Sequence, residues 1–526
     1  MRGITLPGRT VKAWEMLLAI AGTILLLTGA FLIHRSALPR TDVVIAGADC
    51  HTPATVLDPP TGVTAIGSAV VLHGLGANRR TMMYLGADFA GHGFRTYLLD
   101  LPGHGDNTDG FTFAKAQRCA DATVASLLRD GRIDDPKTVL VGHSMGGAIA
   151  IRMADAEPVA ATVALSPAPM ENPRRLPANL LVLSAQWDLE VLKRQAQALD
   201  MAAGGERTAP EDFAELRAFA LQTLPHATHT SPLIDHGVAH RTEQWAIEAM
   251  FPAIDAKRIA ASLDPATYDT RRRGGRRLAG AMLGLLGIWL LFPALATLTA
   301  LAAGPPLTAS PVGKPAPTLT IAEGAVSALV SVLALSVFVP LKFVRLYDGD
   351  YLASLLLLSG GLMLALNWRY ATQNLAFHGR RWCAGLILAL ALILGAGAWF
   401  TWQLGDLWLN AARWLRFAEL LPLMWLFSFA EEVVLGEVGD GSRRARRFVL
   451  FLVLRLEIYL ACILAYYMLD NGEALIGLFI VGLAAFSIFQ RLATDAFRLR
   501  TGSPTAAAVF GAILASWFIA AVFPLS

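Results

Sequence analysis

Five consecutive residues, Gly142-His143-Ser144-Met145-Gly146, carry the plainest chemical signal in this chain. A serine hydroxyl is a weak nucleophile until a base takes its proton and preorganised N–H groups face the charge that develops. A G-x-S-x-G turn supplies part of that arrangement when a strand enters it and a helix leaves it. The turn is so tight that only small residues fit at its flanks, and the helix N-terminus points at the reacting carbonyl. Here the apolar run Thr138-Val139-Leu140-Val141 precedes the turn and a helix-like stretch, Gly147–Met153, follows it. The expected chemistry is attack by Ser144 on a carbonyl; a plain strand-to-helix turn is the alternative.

Holding such a serine takes a sheet. Ser68–Leu72, Phe94–Leu99, Thr138–Val141, Ala161–Ser166 and Leu180–Ser184 read as apolar strands separated by helix-like pieces. Buried strands with helices between them predict a parallel sheet. The first strand ends in His73-Gly74-Leu75-Gly76 and the second in Asp100-Leu101-Pro102-Gly103-His104-Gly105. With these turns and the serine pentapeptide, residues of about 43–252 resemble the α/β-hydrolase superfamily. The resemblance implies a mostly parallel sheet with helices on both faces. It also implies a Ser–acid–His order along the chain.

The acid is expected at Asp188, just past the strand Leu180–Ser184, with Glu190 as the rival. The base is expected at His229, whose His-Thr-Ser stretch resembles the family's histidine loop; His226, His236 and His240 are the alternatives. The family's oxyanion donors fall on the backbone N–H groups of Leu75 and Met145. His73 and His104 are expected to hold loops, and His143 to pack. Only about a dozen residues, Pro167–Asn179, follow the strand after the serine turn, too few for a large helical cap. No His, Cys, Asp and Glu set has metal-ligand spacing, so neither metal nor cofactor is expected.

Composition adds a second part. Of 526 residues 55% are hydrophobic and 16% charged, with mean hydropathy +0.49, which is too apolar for an ordinary soluble domain. The net charge of +3, without a basic patch interleaved with aromatics, argues against nucleic acid. Residues 13–33 form one membrane-length run; no small-residue cleavage site follows, which favours a retained anchor over a signal peptide. Further spans are expected near 278–303, 319–344, 350–367, 382–403, 413–432, 448–469, 472–491 and 504–524, making about nine in all. The expected organisation is an anchor at 1–40, a hydrolase domain at 41–256, a basic linker at 257–277 and an all-α polytopic domain of about eight spans at 278–526.

Basic residues near the N-terminus, at Arg380-Arg381, at Arg443–Arg447 and at Arg491, Arg498 and Arg500 fall on one side of such a bundle. The positive-inside rule then puts the N-terminus in the cytoplasm of a plasma membrane and the hydrolase outside; Arg271–Arg273, Arg276 and Arg277 oppose this. Cys50 and Cys119 are compatible with a disulfide or with two buried thiols. At membrane depth, Arg416 and Glu419 are spaced to pair, and Glu431-Glu432 and Arg455 read as structural ion pairs. The expected function is a membrane-anchored serine esterase acting on an ester or lipid-like substrate. Acyl transfer on the same fold, and a non-catalytic sensor module on a transporter-like bundle, are the alternatives.

Overall fold

Short runs that are apolar on both faces cannot sit at a surface, and they become the inner strands of one sheet. The computed structural model describes residues 5–6, 9–154, 159–171, 173, 175–251, 270–307, 316–339, 341–403, 407–439, 441–468 and 474–526. Its main sheet contains β1 (Arg40–Gly47), β2 (Cys50–Leu57), β3 (Gly67–Leu72), β4 (Phe94–Leu99), β5 (Thr138–His143), β6 (Ala161–Leu165), β7 (Leu180–Ala185) and β8 (Phe219–Leu224). Their order is β8-β7-β6-β5-β3-β4-β2-β1. β2 is antiparallel to β1 and to β4; every other pairing is parallel. This is the α/β-hydrolase fold. β3, β5, β6 and β7 are buried at every residue, as their apolar runs require.

Three strands had no continuous apolar run to announce them. β1 and β8 are edge strands carrying Thr41, Asp42, Gln222 and Thr223, and β2 contains Pro53, which cannot donate to a ladder. The Pro53 carbonyl still accepts from Asp100 N (2.8 Å).

Strand alternation divides the core into two layers. Val71, Val141 and Val163 pack with α2 (Met83–Gly91) and α7 (His236–Met250) through Leu85, Phe89 and Trp245. On the other face Ala164 and Val182 meet Ile151 of α4 (Met145–Met153) and Leu199 of α5 (Glu190–Ala203). Cys50 and Cys119 form a disulfide, joining the start of β2 to α3 (Phe113–Arg129). Among the described residues between β6 and β7 there is no helix, so the short connection carries no helical cap.

Eight helices among the described residues are long and apolar enough to cross a membrane: Ala13–Arg35, Gly274–Ala302, Pro317–Leu335, Gly349–Leu366, Gly379–Thr401, Gly441–Tyr467, Phe479–Thr501 and Pro504–Val522. The ninth expected span is a helix too, Ala411–Val434, but Arg413, Arg416, Glu419, Glu431 and Glu432 make it too charged for that class. Of the expected linker, 257–269 lies outside the described residues, and the chain is already helical from Thr270.

Internal contacts divide the chain into two units: Gly29–Met282 with Phe400–Asp406 and Leu525–Ser526, and Met1–Thr28 with Leu283–Trp399 and Leu407–Pro524. In the second unit, helices Ala13–Arg35 and Thr270–Ala302 approach closely at two glycines. A Cβ on Gly22 would lie 2.6 Å from the Gly287 carbonyl, and one on Gly287 2.6 Å from that of Gly22. Small residues at such a crossing let helix backbones touch, which is how helices associate without a hydrophobic driving force.

The same unit holds a dense buried ionic cluster. Glu432 pairs with Arg447 (3.0 Å), Arg491 (2.5 Å) and Arg498, and Asp495 bridges Arg447 (3.1 Å) and Arg491 (2.6 Å). Glu431 pairs with Arg455 (3.0 Å), and Arg416 with Glu419 (2.9 Å). Arg491, Arg498 and Arg500, counted above as loop charges, lie inside helix Ala474–Thr501. The first two neutralise Glu432, and Arg500 pairs with Glu15 (2.7 Å). They are packing charges, because a buried carboxylate without a counter-ion costs several kcal/mol.

Candidate active site

β5 delivers Ser144 into a left-handed turn with φ 53° and ψ −116°, a backbone that a non-glycine residue adopts only when its surroundings enforce it. The flanking glycines are steric requirements. A Cβ on Gly142 would sit 2.1 Å from the Gly146 carbonyl oxygen, and one on Gly146 2.3 Å from that of Leu72. Ser144 N donates to the Leu165 carbonyl (2.8 Å), pinning the turn to β6, and α4 begins at Met145.

His229 and Asp188 come together as expected. His229 Nδ1 lies 2.9 Å from Asp188 Oδ1. The carboxylate fixes the tautomer: Nδ1–H donates, and Nε2 is left as a proton acceptor. Burial would raise the Asp188 carboxyl, but the hydrogen bond and charge of His229 outweigh it and hold the group below its ordinary value. The rivals fall away from this geometry. Glu190 is exposed and pairs with Lys193 (2.9 Å) and Arg194 (3.6 Å). His226 is exposed against Trp187, with ring centroids 5.6 Å apart, while His236 and His240 lie in α7.

His143 does more than pack. Its Nε2–H donates to the His229 carbonyl (2.9 Å) and its ring lies 4.7 Å from the His229 ring. Burial first, and then the nearby charge of His229, push His143 down to about 3, so the donor is a neutral imidazole. The variable position before the serine gives no sequence signal for this bond, since its partner lies 86 residues away.

The loop after β3 is held by neutral histidines too. His73 Nδ1–H donates to the Gly74 carbonyl (2.8 Å), and its Nε2 accepts from Leu101 N (3.0 Å). Burial lowers its pKa. His104 donates to Pro102 O (2.8 Å) and accepts from Gly76 N (3.1 Å). Buried Arg79 locks the same two loops, bonding Asp100, Asp106 (2.6 Å) and Thr55 (3.0 Å). Sequence reading missed Arg79, because an arginine in a loop looks solvated until its partners are in place. Among the described residues neither Leu75 N–H nor Met145 N–H is paired with a protein acceptor.

The expectation of no metal-ligand set needs correction. The fold brings His92, past the end of α2, within ligand distance of His240 and Glu243 on α7: one ligand atom from each lies within 4.8 Å of the others. The spacing His236-x3-His240-x2-Glu243 places all three on one helical face, a signal the sequence contained.

A match to a family model agrees with the fold. Residues 69–319 match the sequence model described as "Alpha/beta hydrolase family". A "Putative non-heme haloperoxidase" of Mycobacterium phage D29 is 31% identical over 112 residues, which is 20% of this chain and 39% of that protein; the chain thus spans well under half of the curated relative it matches. Among solved structures, an alpha-beta serine hydrolase homologue from Coxiella burnetii aligns at 15% identity and TM-score 0.30, covering 40% of this chain and 97% of that one. XC6422 from Xanthomonas campestris, described as a serine hydrolase without lid, aligns at 18% identity and TM-score 0.32, covering 39% and 94%. An esterase from Pyrobaculum calidifontis aligns at 15% identity and TM-score 0.30, covering 50% and 95%.

Proposed function

We propose, for a chain whose residues 69–319 belong to the alpha/beta hydrolase family, a membrane-anchored serine hydrolase that cleaves an ester through an acyl-enzyme. The observation that carries it is the His229–Asp188 bond of 2.9 Å in the same unit as a serine on a strained strand-to-helix turn. Ser144 attacks the carbonyl while His229 Nε2 takes its proton. Asp188 holds the imidazole and balances the charge it gains. The N–H groups of Leu75 and Met145 receive the oxyanion. His229 then protonates the leaving alcohol, and water attacks the acyl-enzyme by the same route in reverse.

The proposed organisation is an anchor over 1–40, a hydrolase domain over 41–256, a linker over 257–277 and a helical membrane domain over 278–526. The hydrolase is assigned to the extracytoplasmic side of the plasma membrane. The Cys50–Cys119 disulfide supports an oxidising compartment. Glu15, Thr297 and Arg500 meet at one end of the bundle (Thr297–Glu15 2.8 Å, Arg500–Glu15 2.7 Å), and exposed Arg443, Arg444 and Arg446 mark a basic, cytoplasmic side. An ester with an acyl chain drawn from the bilayer is the proposed substrate class. The absence of a helical cap supports an open site that accepts bulky substrates.

The direct test is labelling of the full chain with an activated serine-reactive phosphonate. Labelling at Ser144, lost in Ser144→Ala, is expected. A folded protein that stays unlabelled would favour a binding module instead. Product analysis with an added alcohol separates hydrolysis from acyl transfer.

A further inference from the structure

The serine site leaves a second group of chemically capable side chains unused. It lies between α2 and α7, the helices that follow the β3 loop and the histidine loop. His92 Nδ1 is 2.8 Å from Glu243 Oε2 and 3.0 Å from the Asp88 carbonyl. His240 stands beside them, its ring centroid 6.4 Å from that of His92, and His236 is stacked on His240 at 6.2 Å with 20° between the planes. His236 Nδ1 in turn faces Asp88 Oδ2 at 3.5 Å.

Two features separate this group from an ordinary ion pair. Glu243 is buried, its side chain 2% exposed, and His92 Nδ1 at 2.8 Å is the charged partner it faces. A carboxylate in that position has lost its water and keeps one imidazole, His92, as its close partner. The second feature is donor chemistry. Two imidazoles and a carboxylate are the ligand types that borderline divalent transition ions select. One ligand atom from each of His92, His240 and Glu243 lies within 4.8 Å of the others. A tetrahedral zinc shell with bonds of about 2.1 Å sets its ligand atoms roughly 3.4 Å apart, so the three side chains would draw slightly together to hold an ion.

We infer that His92, His240 and Glu243 form a binding site for a divalent transition ion of the zinc class, separate from the serine site. Water or His236 completes the shell. The ion replaces the proton that otherwise sits between His92 and Glu243 and becomes the buried carboxylate's counter-charge. Its role is a clamp. Joining the end of α2 to the middle of α7 fastens together the two helices whose preceding loops hold Leu75 and His229.

The test uses the full chain in detergent, with Zn²⁺ as the probe. Calorimetric titration and metal analysis after dialysis are expected to give one tightly held ion per chain, and added Zn²⁺ is expected to raise the unfolding temperature. His240→Ala is the decisive variant. His240 is exposed and its polar contact is with Gln244 at 3.0 Å, so its loss is expected to leave the fold intact. Zinc affinity is expected to fall at least tenfold in His240→Ala, and the thermal shift to disappear. Glu243→Gln is expected to abolish retention, and its unfolding without metal reports whether the variant folds. Co²⁺ is expected to give the intense visible absorption of a four-coordinate site. Failure of the wild type to bind Zn²⁺ or Co²⁺, or equal affinity in wild type and His240→Ala, would overturn the site. Neither outcome bears on phosphonate labelling of Ser144, so the two readings fail separately.

Discussion

Around Ser144 the chain buries few charges and fixes them with backbone and neutral imidazoles; around Glu432 it buries many charges and lets them neutralise one another. At the first site His73, His104 and His143 each use a ring nitrogen to hold a carbonyl, and the charged partner of His229 is a single carboxylate, Asp188. At the second, three arginines converge on Glu432, and Asp495 bridges two of them. The difference fits the role proposed for the first site and a packing role for the second. A base that gains and loses a proton must not sit in a lattice of opposite charges that fixes its state. A cluster that only joins helices gains from being saturated, since every missing partner leaves a desolvated charge. The comparison separates sites that can react from clusters that can only hold.

The sharpest way to break this comparison is at the serine. Ser144→Ala is expected to lower turnover of a short activated ester by about 10³–10⁶-fold, and His229→Ala nearly as much. His226→Ala is expected to keep most activity, because its ring lies against Trp187 and away from Asp188. A larger loss in His226→Ala than in His229→Ala would undo the assignment. Next in size is Glu432→Ala, which leaves Arg447, Arg491 and Arg498 facing one another. Breaking a buried pair typically costs about 3–5 kcal/mol, so a marked fall in unfolding temperature and yield is expected. The kcat/KM of the folded fraction on a soluble ester should match the wild type. A folded variant with impaired kcat/KM would mean that the membrane cluster reaches the chemistry.

How much of this was legible follows from the range of the interactions. β3, β5, β6 and β7 announced themselves, since a strand buried on both faces must be largely apolar, and β4 did so through Tyr97-Leu98-Leu99. The turn at Ser144 and the pairing of Asp188 with His229 were expected, because a strand end and a turn fix such residues locally. β1 and β8 were not found, because edge strands tolerate polar residues, and β2 was not, because Pro53 interrupts its run. Arg491 and Arg498 were misread as loop charges, since their partner Glu432 lies 59 and 66 residues away. The bond from His143 to His229 and the approach of His92 to His240 and Glu243 were invisible for the same reason. Each joins segments that only the folded chain brings together.

A smaller effect tests how the hydrolase unit is held. The Cys50–Cys119 bridge closes a loop with a sequence separation of 69. Its removal by Cys50→Ser with Cys119→Ser is expected to cost about 2–4 kcal/mol, mainly by freeing the unfolded chain. Activity on short esters at room temperature should persist, because neither cysteine touches Ser144, His229 or Asp188. Thiols in the native chain that are open to alkylation before reduction would count against the bridge and against an oxidising compartment.

The smallest effect is the most specific to neutral histidines at the serine site. His143 is held down to about 3 by burial and by the nearby charge of His229, against an ordinary value of 6.5. Below pH 6.5 the unfolded chain takes up a proton there, while the folded chain does not until the pH approaches 3. Stability from this group is therefore full above the ordinary value and falls as the pH drops, by up to about 1.4 kcal/mol per pH unit. Between pH 7.5 and pH 5 this amounts to roughly 2 kcal/mol from His143. His73, lowered by its own burial, adds to the slope in the same direction. Asp188 acts lower on the scale: its folded value is depressed, so its contribution is complete above the ordinary carboxylate range and fades only in stronger acid. His143→Gln keeps an N–H donor for the His229 carbonyl but cannot titrate. It should lose some stability at neutral pH through imperfect fit, and it should lose less than the wild type on acidification. Unfolding measured at pH 7.5 and pH 5 on both proteins gives the difference directly. An unchanged acid dependence in His143→Gln would mean that the imidazole is not kept neutral, and the contrast between a site of neutral donors and a cluster of fixed charges would fail at its central residue.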